Sequence, residues 1–260
     1  DHACSTKSLT KSFGWSDYES IMQHDIQEFC RLLVDNLEMK MKGTELEKSI
    51  PALFKGQTRQ YIRCINVEYE SSKIEDFYDL SMQVKGCKNL QESFEKYVEK
   101  DRMDGNNQYS TDDYGKQDAD MGVEFISFPS VLHLHLRRFE FDYNYETMIK
   151  INDRFEFPEE IDLTPYLSKD SEDISKSNIY DLYGVLIHMG AYGAGHYYAF
   201  LRTSTEPQWY KFDDDFVTKV EKTTAIIENF GGDYETANPY GNRYYYYRNA
   251  QKSYSAYMLV

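Results

Sequence analysis

His196 stands directly behind a glycine-rich stretch, GAYGAG, and opens the segment His196–Arg202, whose aromatic and β-forming residues predict a strand. A further strand is expected at Trp209–Val220, across the loop TSTEPQ, and it carries Asp213, Asp214 and Asp215. Pairing Arg202 with Trp209 sets a register in which His196 lies opposite Asp215, with Asp213 its diagonal neighbour about 7 Å away between backbones. Strand alternation then puts Asp213 and Asp215 on the face of His196 and points Asp214 away. An imidazole beside a strand carboxylate is the base and orienter of a nucleophilic triad. The carboxylate fixes the tautomer and stabilises the imidazolium that forms. A surface ion pair has the same spacing, so both readings stay open at this point.

Other residues invite other chemistry. Three consecutive acids suggest a cation, but the calcium-loop pattern D-x-[DN]-x-[DN]-G is absent and alternation splits the carboxylates. His133 and His135 share one strand face as a pair of potential metal ligands, yet no third ligand is near in sequence. Asp25 and Glu28, in MQHDIQE, lie one helical turn apart and share a face, either as a cation-binding pair or as a solvated surface. Of the four cysteines, Cys30 falls on the apolar face of a helix and is expected in the core. Cys64 and Cys87 fall in or beside strands, and Cys4 sits in a polar stretch. None is nominated as a nucleophile.

The elements that must hold these groups begin with a helix expected over about 17–42. Ser16 and Glu19 have capping-box spacing, Met22, Ile26, Phe29, Leu33 and Leu37 make one apolar face, and Gly43 is a natural stop. Residues 50–84 read as strands, Leu90–Lys100 as a short amphipathic helix, and Asp101–Ala119 as a long loop or hairpin tip. In VLHLHLRRF, Leu132, Leu134 and Leu136 form one strand face. Asn144–Thr147 marks a turn, Tyr183–Met189 precedes the two strands above, and AYMLV ends the chain as another strand. Helix first and strands later, without βαβ alternation, argues for an α+β fold.

Among 260 residues, 44 acids against 29 bases give a net charge of −15, which argues against nucleic acid and anionic membranes as partners. Nine acids and four bases lie in 95–124, and nine acids and three bases in 153–181, so these segments are solvated loops or a cradle for a cationic partner. Four cysteines are too few for a disulfide framework and suit a reducing compartment. The uncharged run Leu182–Leu201 is long enough for a membrane span, but its four glycines, two histidines and four tyrosines suit two strands around a turn better.

KSLTKSFGW, MQHDIQEFCRLL, MKGTELEKSIPALFKGQ, LHLHLRRFEFD, IKINDRFEFPE, GAGHYYAFL and WYKFDDDFV together resemble the ubiquitin-specific protease family, the papain-like deubiquitinases, and in particular its herpesvirus-associated branch. The resemblance covers nearly the whole chain. It implies a papain-like cysteine protease fold, with a thumb remainder at about 1–48, fingers and connecting elements at about 49–130, and a palm at about 131–260. It implies His196 as catalytic base, Asp213 as its orienter and Asp214 in a secondary role. It further implies that Asp25, Glu28, Gln27, His24, Phe139, His188 and Tyr197 bind substrate. The segments Met189–Gly195 and Phe141–Thr147 would gate the channel, and Phe13 and Trp15 would belong to a switching segment.

The family nucleophile is a Cys in a box resembling G-x-x-C-[YF]-x-N, upstream of the QHD segment, with an oxyanion Asn just before it. This chain shows no such box, so an N-terminal truncation is expected. Many members also hold zinc on two C-x-x-C pairs. Here Val67 stands where the second Cys after Cys64 would be, so no metal and no cofactor are expected. The implied partners are ubiquitin and ubiquitinated proteins, with no nucleic acid or membrane, in nucleus and cytoplasm. The alternative is a non-catalytic ubiquitin-binding module.

Overall fold

The computed structural model describes residues 5–15, 24–203, 207–233 and 251–260. Helices come first: α1 (Lys7–Ser12), α2 (Ile26–Met41) and α3 (Ser49–Phe54). The long helix starts at Ile26 rather than near 17 because Asp25 is extended (φ −71°, ψ 131°) and its carboxylate accepts the Gln27 N–H at 2.7 Å, an N-cap. Ser16 and Glu19 lie outside the described residues. Gly43 takes a left-handed φ of 75° just beyond the end, as a helix stop requires.

The apolar face of α2 is only half-buried, and none of its residues is fully buried, Cys30 included. Polar clamps hold the helix instead. Arg31 grips Asp79 in a bidentate pair through Nε and Nη2 (2.6 and 2.8 Å), the Gln27 amide donates to the same carboxylate (3.0 Å), and the Tyr78 hydroxyl donates to Glu38 (2.5 Å).

The chain continues as β1 (Gly56–Cys64), β2 (Glu70–Phe77), β3 (Leu80–Gln83), α4 (Leu90–Tyr97), β4 (Asp101–Met103), β5 (Tyr109–Thr111), β6 (Gly115–Gln117) and β7 (Ala119–Ser127). Residues 50–54 are helical, not extended. Residues 101–119 are not one loop: they hold a short strand, a 3₁₀ turn at Gly105–Asn107 and the β5–β6 hairpin. One sheet has the order β2-β1-β7-β4. At its lower end Arg59 binds Glu124 (2.5 Å) and Asp170 (2.9 Å), tying the sheet to the acidic segment after it.

The second half comprises β8 (Leu134–Arg137), β9 (Phe139–Asp142), β10 (Thr147–Lys150), β11 (Glu160–Asp162), β12 (Ile179–Asp181), β13 (Gly184–Ala191), β14 (Ala194–Arg202), β15 (Trp209–Asp213), β16 (Phe216–Val220), α5 (Lys222–Ala225) and β17 (Tyr254–Leu259). Seven strands form the large sheet in the order β16-β15-β14-β13-β17-β8-β3, all antiparallel except β3 with β8. Its core takes in Leu132, Leu134 and Leu136, the predicted leucine face, together with Val185, Ile187, Phe200 and Trp209. Arg138, just past the end of β8, is wholly buried and donates to the carbonyls of Ala256, Ile151, Asp153 and Phe230. Burial pushes that guanidinium down to about 10.

Candidate active site

The β13–β14 hairpin runs in register from Gly184 against Leu201 to Ala191 against Ala194, leaving Tyr192 and Gly193 as a two-residue turn. The glycine-rich stretch is therefore an ordered hairpin tip, not a loose loop. Gly193 supplies the positive φ (74°) that such a turn needs. Gly195 is required for another reason: a Cβ there would lie 2.2 Å from Nε2 of His188.

His196, opposite Met189, projects beside β15. The β14–β15 register pairs Arg202 with Trp209, as the sequence predicts, and continues to Ala199 against Phe212. Trp209–Val220 is nevertheless two strands. The chain reverses after Asp213, which pairs with Phe216, and Asp214 sits in the left-handed region (φ 52°), which Asp tolerates better than most residues. His196 is thus not opposite Asp215, and Asp214 does not point away. The turn returns it so that His196, Asp213 and Asp214 each place a side-chain ligand atom within 4.8 Å of the others.

The decisive contact is His196 Nε2 to Asp213 Oδ1, at 2.6 Å. Facing an ionised carboxylate, Nε2 carries the proton, and Nδ1 holds the lone pair that can act as base. Lys211 donates to the other oxygen, Oδ2, at 2.6 Å. Lys211 and then His196 hold the Asp213 carboxyl below its usual range. With both oxygens engaged, Asp213 is a poor ligand for a cation.

His196 lines a cleft of about 500 Å³. Of the other residues expected to meet substrate, His24, Asp25, Glu28, Phe139, His188 and Tyr197 also line it. Gln27 does not; its amide is committed to Asp79. Asp25 and Glu28, expected to share a face, both line this cleft. Asp25 precedes the helix as its cap, and its second oxygen accepts from the Tyr257 hydroxyl, while Glu28 is exposed. Behind them His188 is buried, edge-on to Phe139 (5.2 Å) and Tyr197 (4.9 Å). Burial, then the nearby Lys150 ammonium, pushes its imidazole down to about 4.

Phe13 and Trp15 pack on the start of α2: Phe13 lies 5.4 Å from Phe29, and Trp15 stacks on His24 at 4.3 Å. The expected second gate, Phe141–Thr147, is the β9–β10 hairpin turn, with Tyr143 and Tyr145 strongly exposed. His133 stacks on Phe54 (5.2 Å), and His135 sits edge-on to Tyr257 (4.8 Å), so both are packed aromatic rings. None of the three described cysteines lines the cleft. Cys30 is half-buried, and burial, then Asp79 and Asp25, raise its thiol; Cys64 and Cys87 are buried. Cys4 lies outside the described residues.

The whole chain, residues 1–260, matches the family model described as ubiquitin carboxyl-terminal hydrolase. The chain belongs to that family. It is 49% identical over 266 residues to Ubiquitin carboxyl-terminal hydrolase 15 of Saccharomyces cerevisiae, covering 98% of this chain and 22% of that protein. It is 50% identical over 266 residues to Ubiquitin C-terminal hydrolase 12 of Arabidopsis thaliana, covering 100% of this chain and 24% of that one. The chain thus spans under a quarter of the length of these relatives. In fold it matches the SAGA Ubp8/Sgf11/Sus1/Sgf73 DUB module solved bound to ubiquitin aldehyde, with TM-score 0.72 and 24% identity over 96% of this chain and 52% of that one. The α+β, papain-like architecture of ubiquitin-specific proteases is the fold of this chain.

Three side chains around this site were not singled out from the sequence. Tyr257 and Lys150 arrive from distant strands, which no local spacing reveals. Lys211 was within reach, since a residue two before Asp213 in a strand shares its face.

Proposed function

We propose that this chain supplies the base, its orienter and the substrate cleft of a thiol-dependent deubiquitinase. The carrying observation is the 2.6 Å His196–Asp213 contact at the wall of a cleft that also holds Asp25, Glu28 and His188. A thiolate attacks the carbonyl of ubiquitin's last glycine, and His196, protonated at Nδ1, gives that proton to the departing lysine amine. The thioester is then hydrolysed by a water whose proton His196 takes, releasing free ubiquitin and the thiolate. The attacking thiolate belongs to a cysteine other than Cys30, Cys64 and Cys87, none of which lines the cleft. Asp214, drawn towards the pair by the turn, supports it in a secondary role.

The partner is ubiquitin, whose cationic tail suits the acids of the cleft. The motif likeness supports placement in the herpesvirus-associated branch and the thumb, fingers and palm division at about 1–48, 49–130 and 131–260. The test is release of fluorophore from a ubiquitin C-terminal amide. The parent protein should turn over, and His196→Ala should lower the rate by about 10²–10⁴-fold or more while sparing ubiquitin binding. Undiminished turnover in His196→Ala overturns the base assignment. Robust turnover by residues 1–260 alone, surviving mutation of Cys4, overturns the placement of the nucleophile.

A further inference from the structure

Lys211 lies two residues before Asp213 in β15, opposite the buried Phe200 and one alternation from the buried Trp209. A lysine on such an apolar strand face ordinarily runs its stem outward and leaves its ammonium in water. Here the ammonium is held on two sides. It donates to Asp213 Oδ2 at 2.6 Å and stands 4.2 Å from the centroid of the Tyr198 ring. Tyr198 follows His196 by two residues on β14, so four side chains, two from each strand, close a ring: His196, Asp213, Lys211 and Tyr198. The two imidazole-side members are also near each other, with ring centroids 6.3 Å apart.

We propose that Lys211 is the positioning residue of the His196–Asp213 pair, locking the carboxylate so that its free rotation cannot swing the imidazole. A carboxylate turns easily about its Cβ–Cγ bond, because that torsion is broad. With His196 on one oxygen and Lys211 on the other, rotation breaks two charge-assisted hydrogen bonds at once. The Tyr198 face in turn limits where the ammonium can go, through a cation–π contact that strengthens as water is excluded. The lock also keeps the imidazole in the Nε2–H tautomer, with Nδ1 free for the reaction. This inference deepens the base-and-orienter reading given above and rests on it.

Two measurements test it. In residues 1–260 labelled with ¹⁵N, the long-range ¹H–¹⁵N correlations of the His196 ring at pH 8 should show one tautomer in the wild type. Lys211→Met should give exchange-averaged ring nitrogens, and Lys211→Arg should restore the single tautomer. In the parent enzyme, Lys211→Met should lower kcat about 10–100-fold with KM within about twofold, since small misplacement of a reacting group costs up to about 10²-fold. Lys211→Arg, which keeps the charge and stacks on an aromatic ring, should recover most of it. If Lys211→Met keeps both the wild-type tautomer signature and the wild-type kcat, Lys211 is a surface ion pair and the proposal is wrong. The proposal is equally wrong if Arg fails to rescue a folded Met variant. Loss of the base reading shows up separately, as persistent turnover in His196→Ala with the tautomer result unchanged.

Discussion

Lowering the pH from 7 to 5 should destabilise this chain through His188. His188 is 5% exposed, its Nδ1 is buried without a hydrogen-bond partner, and the Lys150 ammonium donates to its own backbone carbonyl at 2.8 Å. These surroundings exclude the imidazolium, and the group falls from its ordinary 6.5 to about 4. The unfolded chain therefore takes up this proton below about 6.5, whereas the folded chain does so only near 4. The stabilisation is complete above about 6.5 and is lost as the pH falls towards 4. Over the whole window the loss is about 3 kcal/mol, and about 2 kcal/mol between pH 7 and 5. For a domain of this size that is roughly 4–8 °C in Tm. His133 and His135, also depressed by burial, act in the same direction. Carboxyls held below their usual range, such as Asp79 and Glu124, lose their contribution only at lower pH.

Thermal melts followed by circular dichroism at pH 8, 7, 6 and 5 measure the slope directly. The comparison is His188→Gln, each protein referred to its own Tm at pH 8, so that any constant destabilisation from repacking cancels. The substitution should remove most of the slope. A Tm that is flat from pH 7 to 5, or an undiminished slope in His188→Gln, would refute the assignment of acid sensitivity to this ring.

Four further outcomes are expected. Gly195→Ala puts a methyl group 2.2 Å from His188 Nε2 and 2.8 Å from the Met189 carbonyl, and should cost roughly 1–3 kcal/mol in urea unfolding. Arg138→Met removes four hydrogen bonds from a wholly buried guanidinium and should cost roughly 2–4 kcal/mol in the same assay. Asp25→Ala should lower stability by about 1 kcal/mol as well as ubiquitin affinity by calorimetry, because it removes a helix cap, whereas Glu28→Ala should affect affinity alone. Asp79→Ala should speed hydrogen exchange in α2 about tenfold or more while leaving the amides of β13 and β14 unchanged.

How much of this was legible depends on sequence distance. The His196–Asp213 pair belongs to one local hairpin, so alternation and a single guessed pairing, Arg202 with Trp209, put Asp213 and Asp215 on the face of His196, and the family resemblance chose Asp213. The same reasoning misplaced Asp214 and Asp215, because it extended β15 through the turn; the left-handed Asp214 is the point where the strand ends. The start of α2 was misjudged for a related reason. Asp25 supplies a cap nearer the apolar face than the Ser16–Glu19 spacing suggests, and α2 begins there. Arg138 reads in sequence as one of two ordinary basic residues ending a strand. Only the tertiary fold shows that it donates to four carbonyls drawn from three distant stretches of chain. Tyr257, which reaches Asp25 across 232 residues of chain, was beyond any local signal.

The cleft accordingly has two walls of different physical character. One wall is β13, β14 and β15, whose register is secured by the burial of Ile187, Phe200 and Trp209, so His196 and Asp213 are aligned by sheet hydrogen bonds and a packed core. A rigid element is where a base and its orienter gain most from preorganisation. The other wall is the start of α2, which buries no residue fully and is held by Asp79, Glu38 and Asp25 through hydrogen bonds. Such polar clamps fix direction but add little of the non-directional stabilisation that apolar burial provides. The acids that would meet a cationic tail therefore sit on the softer wall, and the groups that would move protons sit on the stiffer one. That division lets substrate seating adjust without disturbing the 2.6 Å contact on which the chemistry depends.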